Sequence, residues 1–281
     1  MSLYRKDFEK ELEFPGEVKI GEFSESVKKV QEWINLHKTH SPGFGVTISI
    51  DSDFGPATEM AVKKFQDYYD LDVTGVVDEN TWEFLVGPML VAFEGLEFGK
   101  DDNLQYRIVE IARQHLQEHP VELYSNRGPW VRAYMKGLDS SFNLTGDGQD
   151  WAQWCNGFTS TVLDHALASL GFDIQKVFPW TWSCYKSISQ AKDSKFPNAT
   201  WFSWDKIKES EFSIVQPGDL FLVMRNDHNP MHIGIVSNVK GSVIETVEGN
   251  TNDEGSAVGY EVCSNYRNLA RRNYSIVKIT L

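Results

Sequence analysis

Gln149-Asp150-Trp151-Ala152-Gln153-Trp154-Cys155-Asn156-Gly157-Phe158 is the stretch on which the fold turns. Beyond it Phe158, Val162, Ala166 and Leu170 recur every four residues, the spacing of one helical face, and Gly171 supplies a stop. Cys155 is therefore expected in the first turn of a buried helix. Unpaired backbone N–H groups and the positive end of the helix dipole favour a thiolate there. Cysteines so placed reach pKa values of roughly 3.5 to 7.5, and the same N–H groups suit an oxyanion. Gln149 and Gln153 are further candidates, by analogy, for an oxyanion-stabilising amide.

A thiolate nucleophile needs a base. Pro217-Gly218-Asp219-Leu220-Phe221-Leu222-Val223 reads as a turn entering an apolar strand, and Met231-His232-Ile233-Gly234-Ile235-Val236 as a second strand. Period-two alternation puts His232, Gly234 and Val236 on one face. The imidazole is thus expected to face the helix bearing Cys155, with the glycine leaving room for substrate. A third strand, Ser242 to Val247, ends at Glu248-Gly249-Asn250, where Glu248 or Asn250 is expected to hold the second ring nitrogen and fix the tautomer. A single helical cysteine is more often a small buried hydrophobe; the order and spacing of the three segments carry the catalytic reading. Cys184 and Cys263 lack such a context and are expected to be structural. His115 and His119, at i and i+4, read as a solvated helix face rather than a metal pair, His165 as exposed, and His228 as a loop residue. Most of the many tryptophans between Trp130 and Trp204 are expected in the core.

Cys on a helix, a Gly-Asp strand, a His-x-Gly-Ile-Val strand and Glu-x-Asn follow the order of the CHAP amidase family, which is related to NlpC-type and papain-like peptidases. Residues 104–281 resemble that family. The resemblance implies a papain-like domain in which Cys155 attacks a peptidoglycan amide, His232 activates it, and Glu248, with Asn250 alongside, orients the histidine. Trp154 before the cysteine and Asn156 after it depart from the NlpC pattern.

Toward the N-terminus, three short helices are expected. Val27, Val30 and Ile34 mark the first, with Ser24 or Ser26 as cap; Pro56 opens the second, which carries Ala57, Ala61 and Phe65; Asp78 caps the third, with Trp82, Leu85 and Val86 inward. Residues 50–58 and 74–81 echo one another, each an acidic turn leading into a helix. With Phe-Gly, Ala-Val, Phe-Gln and Thr-Gly-x-x-Asp-x-x-Thr in order, this segment resembles the peptidoglycan-binding type-1 family of three-helix modules, which implies a shallow groove for that polymer. His37 to Thr47, with Pro42, Gly43 and Gly45, reads as a loop.

The chain has 281 residues and a formal net charge of -13, with 17 acidic and 9 basic side chains in the first 90 residues. A nucleic-acid partner is not expected, since phosphate binding needs clustered Lys and Arg. The acidic balance also disfavours attraction to anionic membranes or wall polymers, so wall binding should rest on shape and hydrogen bonds. No signal peptide is read near Met1, and no run approaches the roughly 20 apolar residues of a membrane span. The expectation is a protein made in the cytoplasm that acts at the wall after release or delivery, through a holin or a dedicated machine. Three cysteines do not make a disulfide framework, and neither metal nor organic cofactor is expected.

The sequence is therefore read as α+β: a peptidoglycan-binding bundle over 17–90, a linker over 91–103 and a papain-like cysteine hydrolase over 104–281, with a helix packed on an antiparallel sheet. The expected activity is hydrolysis of a peptidoglycan amide or peptide bond through Cys155, His232 and Glu248 or Asn250, as in a phage endolysin or a delivered toxin. The rival readings are a papain-like acyltransferase or transpeptidase, a non-catalytic wall-binding protein, and a protease of protein substrates.

Overall fold

The computed structural model describes residues 8–41, 43–135, 138, 153–193, 195–252, 259–271 and 274–281. It is α+β, with helices toward the N-terminus and an antiparallel sheet toward the C-terminus. A single turn, α1 (Glu9–Leu12), precedes α2 (Glu25–His40), α3 (Pro56–Tyr68) and α4 (Glu79–Phe93). The caps are those expected: Ser24 accepts from Val27 N, Pro56 starts α3, and Asp78 accepts from Thr81 N at 2.8 Å. Val27, Val30, Ile34, Ala61, Phe65, Trp82, Leu85 and Val86 are all buried.

The sequence echo has a structural cause. Gln31, from α2, donates to Asp51 Oδ1, Asp53 O and Thr58 Oγ1, and accepts from Asp51 N and Ser52 N. Gln66, from α3, repeats the device one helix later: it donates to Thr74 Oγ1, Val76 O and Thr81 Oγ1, and accepts from Gly75 N. Each buried amide satisfies the polar backbone of a turn that could not otherwise be buried without loss. One part of the expected loop is not a loop: α2 runs on through His40, and His37 is buried, bonded to Tyr69 Oη and Leu85 O at 2.9 and 2.8 Å. Tertiary partners for that ring extend the helix by a turn.

After α4, Arg107 clasps the connecting segment by donating to Gly99 O and Asp102 O. Helix α5 (Leu104–Gln117) follows, capped by Asn103, then α6 (Pro129–Met135), α7 (Cys155–Ser169), α8 (Ile174–Val177) and α9 (Cys184–Lys192). The rest is β1 (Ala199–Phe202), α10 (Trp204–Glu209), β2 (Leu220–Asn226), β3 (Asn229–Lys240), β4 (Val243–Thr251), β5 (Glu261–Asn268) and β6 (Tyr274–Ile279). The strands form one sheet in the order β1-β6-β2-β3-β4-β5, antiparallel at every pairing. Ile233, Ile235 and Val247 of the sheet join the apolar cluster that contains Phe158, Val162 and Ala166 of α7. Sequence reading found three of the six strands, and Glu248 and Asn250 lie inside β4 rather than past its end.

The two halves meet through buried contacts. Arg132 of α6 donates to both carboxylates of the N-terminal helices, Glu11 at 3.0 Å and Glu32 at 2.6 Å. Beside this triad the aromatic rings form a chain: Trp33 of α2 lies edge-on to Trp130 at 6.2 Å, Trp130 stacks on Tyr134, and Tyr134 stacks on Trp154 at 5.7 Å and 9°. Trp154 immediately precedes Cys155, so the packing of α2 reaches the start of α7.

Candidate active site

Cys155 is the first residue of α7, and no side chain caps that helix start. The residue is 1% exposed. Gly249 allows β4 to approach this closely: a methyl group there would meet Phe158 Cβ at 2.7 Å and Trp154 at 3.0 Å. The approach brings Glu248, on the same strand, beside the neighbouring strand β3 and His232.

His232 and Glu248 are both fully buried, and His232 Nε2 donates to Glu248 Oε2 at 2.8 Å. Glu248 also accepts from Thr246 Oγ1 and from a two-pronged Arg267, Nε to Oε1 at 2.9 Å and Nη2 to Oε2. Burial opposes the charge on Glu248, but the hydrogen bonds from His232 and Arg267 outweigh it and hold the carboxyl at about 2, against an ordinary 4.5. Burial likewise works against a charged imidazole. Interaction with Cys155 and Glu248 reverses this and raises His232 to about 9.

Nε2 being committed to Glu248, Nδ1 is the nitrogen left for the thiol. It is buried without a hydrogen-bond partner among the described residues. The ring and the sulfur lie close enough for each to move the other's proton affinity, yet short of a closed hydrogen bond. The Cys155 thiol is held well below its ordinary range, first by a contact with Cys184 and, against burial, by His232 and the Ile233 N–H. The two shifts run in opposite directions, each favouring the charged form of its group, with Glu248 and Arg267 behind them.

Cys184, expected to be merely structural, belongs to this cluster. Its sulfur is 3.6 Å from that of Cys155. Asn156, the residue after Cys155, donates to Thr181 O and Ser187 Oγ, drawing the start of α9 onto α7, where Ser183 caps Lys186 N. The Cys184 thiol is pushed well above its ordinary range by the neighbouring Cys155 anion and by burial. None of the three cysteines is in a disulfide; Cys263 is buried on β5, opposite Glu248 in the register.

Other expectations fare differently. Asn250 is buried in a left-handed conformation (φ 57°), and neither amide atom has a hydrogen-bond partner among the described residues. It does not hold the histidine ring. Gly234 leaves room for protein rather than substrate: a methyl there would meet Phe221 Cε1 at 2.6 Å and Glu248 Cγ at 2.9 Å. His115 is fully buried against Tyr134 Oη at 2.9 Å and lowered by burial to about 3, so it is no solvated helix face. His165 is also buried, its pKa lowered to about 4 by burial. His228 is exposed in the β2–β3 turn, and Gln153 is half-buried just before the nucleophile. Gln149 lies outside the described residues. Trp130 and Trp154 are core, whereas Trp201 and Trp204 are only half-buried. Sequence reasoning missed Arg267, Thr246 and Cys184; the alternation of β5 offered a signal for Arg267 only once its register with β4 was known. Among the described residues no group of three or more His, Cys, Asp or Glu is arranged to hold a metal ion.

Residues 24–85 match the family described as "Putative peptidoglycan binding domain". The segment spans α2, α3 and the first half of α4, including Gln31 and Gln66, and fits association with the cell wall. No curated protein matches the chain. Among the described residues no helix is long and apolar enough to cross a membrane.

Proposed function

We propose that the chain is a peptidoglycan hydrolase in which a CHAP-like, papain-related cysteine site cuts an amide or peptide bond of the polymer gripped by residues 24–85. One observation carries the reading: the buried cysteine heading α7 lies against a histidine whose far nitrogen is fixed by a doubly anchored glutamate.

In this reading the Cys155 thiolate attacks the carbonyl carbon, and the open first-turn N–H groups of α7 face the developing oxyanion. His232, already protonated, gives its proton to the leaving amine. A thioester remains on Cys155. The neutral ring then takes a proton from water, hydroxide attacks the thioester, and the thiolate returns. Glu248 fixes the tautomer and stabilises the imidazolium without accepting the proton, because its own affinity for one is too low. Action at the wall, after release or delivery of the protein, belongs to the same proposal.

The test is digestion of purified sacculi by the wild-type chain and by Cys155→Ala, with mass spectrometry of the released fragments. Soluble fragments with new amine and carboxyl ends are expected from the wild type alone. Equal release by both proteins, or none by a folded wild type that binds sacculi, overturns the proposal.

A further inference from the structure

The feature that hydrolysis leaves unexplained is the second sulfur. Hydrolysis through a thioester needs one thiol, yet Cys184 Sγ sits 3.6 Å from Cys155 Sγ, at the head of its own helix. The placement is built: Asn156 pins the Thr181 carbonyl and the Ser187 hydroxyl, so the segment leading into α9 is tied to the helix bearing the nucleophile. Cys155 is buried, whereas Cys184 is half-buried and borders solvent. A disulfide needs the sulfurs to close to about 2.05 Å, a further approach of about 1.6 Å from 3.6 Å.

We infer that Cys155 and Cys184 form a peroxide-reactive dithiol whose reversible closure to a disulfide switches the nucleophile off and shields it from irreversible oxidation. Switching off activity rests on the hydrolase reading; the dithiol chemistry does not. The oxidant is hydrogen peroxide, a molecule scarcely larger than water. The Cys155 thiolate attacks one peroxide oxygen, an S–O bond forms, the O–O bond breaks, and the departing hydroxide takes the His232 proton and leaves as water. Cys155 is then a sulfenic acid. The Cys184 sulfur attacks it, the S–S bond forms, the S–O bond breaks, and hydroxide leaves with the Cys184 proton as a second water. Two thiols and one peroxide give one disulfide and two waters. Without Cys184, the sulfenic acid has no resolving thiol, and a second hydrogen peroxide transfers an oxygen to it, leaving water and the sulfinic acid, which dithiol reductants do not reverse.

The experiment treats the full chain with a several-fold molar excess of hydrogen peroxide, enough for two oxidations at one sulfur, then maps peptides and assays sacculus digestion before and after dithiothreitol. The wild type should lose the mass of two hydrogen atoms, show a Cys155–Cys184 cross-linked peptide with Cys263 still alkylatable, lose its digestion and regain it on reduction. In Cys184→Ser, and in Cys184→Ala as a second variant, the same treatment should take Cys155 to the sulfinic acid, which dithiothreitol does not reverse. A wild type that gives sulfinic Cys155 with Cys184 still a free thiol overturns the inference. A disulfide that forms in a chain with no digestion even when reduced upholds the dithiol and removes the hydrolase reading instead.

Discussion

Replacing Glu248 by glutamine keeps the shape of the side chain and removes one charge from a buried cluster of four. The carboxyl's fall from 4.5 to about 2 corresponds, at about 1.4 kcal/mol per tenfold change in affinity, to about 3 kcal/mol of interaction with the charged form. Removing one member of a buried ion pair costs about 3–5 kcal/mol in general. The lower end applies here, because the Arg267 side chain is 12% exposed and can recover some hydration. The amide also turns two donor hydrogens toward a site that presents donors on two sides, His232 Nε2 and Arg267. We expect Glu248→Gln to lose about 3 kcal/mol in urea unfolding near pH 7. Its second effect is on the nucleophile. With the carboxylate gone and Arg267 still charged, the imidazolium weakens, and the pH midpoint for iodoacetamide alkylation of Cys155, read by peptide mapping, should rise by about one to three pH units. If stability stays within about 0.5 kcal/mol of wild type and the alkylation midpoint does not move, Glu248 does not govern this pair and the assignment of its role is wrong.

The pair also shapes stability against pH. His232 is raised, so alone it stabilises fully below 6.5 and loses that contribution as pH climbs through about 9; Cys155 is depressed, so its contribution is full above 9.0 and lost as pH falls. Between 6.5 and 9 native and unfolded chains hold one proton each on the pair, so wild-type stability should owe it no slope there, whereas Cys155→Ser should lose up to about 1.4 kcal/mol per pH unit across the lower part of that window, measured by urea titrations at stepped pH. Arg132→Met strands Glu11 and Glu32 together in the interior and should cost about 3–5 kcal/mol in urea unfolding at pH 7; a loss within about 0.5 kcal/mol of zero would contradict the charge argument. Gly234→Ala drives a methyl against Phe221 and Glu248 and should cost about 1–3 kcal/mol while slowing Cys155 alkylation; unchanged thermal unfolding would show that β3 has slack there.

What could be read from the sequence is what is decided locally. Ser24, Pro56 and Asp78 act within four residues of themselves, and the face of α7 repeats over four turns, so caps and helices were legible. Short α1, α6, α8, α9 and α10 were not, since helices of this length hold only through tertiary packing. The turn echo was visible, but not its reason, because Gln31 and Gln66 bond to groups on the far side of a loop. The same limit explains the histidines. Whether His37, His115 or His165 meets water depends on partners such as Tyr69 and Tyr134, 32 and 19 residues away.

At the site, the residues missed were those that balance charge. The sequence order presents a nucleophile, a base and an acid, which together would carry an excess negative charge once the thiol ionises beside Glu248. Burying such an excess is prohibitively costly. Arg267 supplies the missing positive charge from β5, and with it the cluster sums to zero: Cys155 and Glu248 negative, His232 and Arg267 positive. That closure is what would let a Cys155 thiolate be buried at 1% exposure whatever the chain's overall charge of -13. It also means that no one member can be neutralised without leaving a net charge in the interior. Under the proposed hydrolase mechanism Arg267→Gln should therefore slow sacculus digestion, although Arg267 bonds to Glu248 rather than to the sulfur: Glu248 then has one cation to serve instead of two, His232 carries the whole burden, and the proton meant for the leaving amine is held too tightly to be given up.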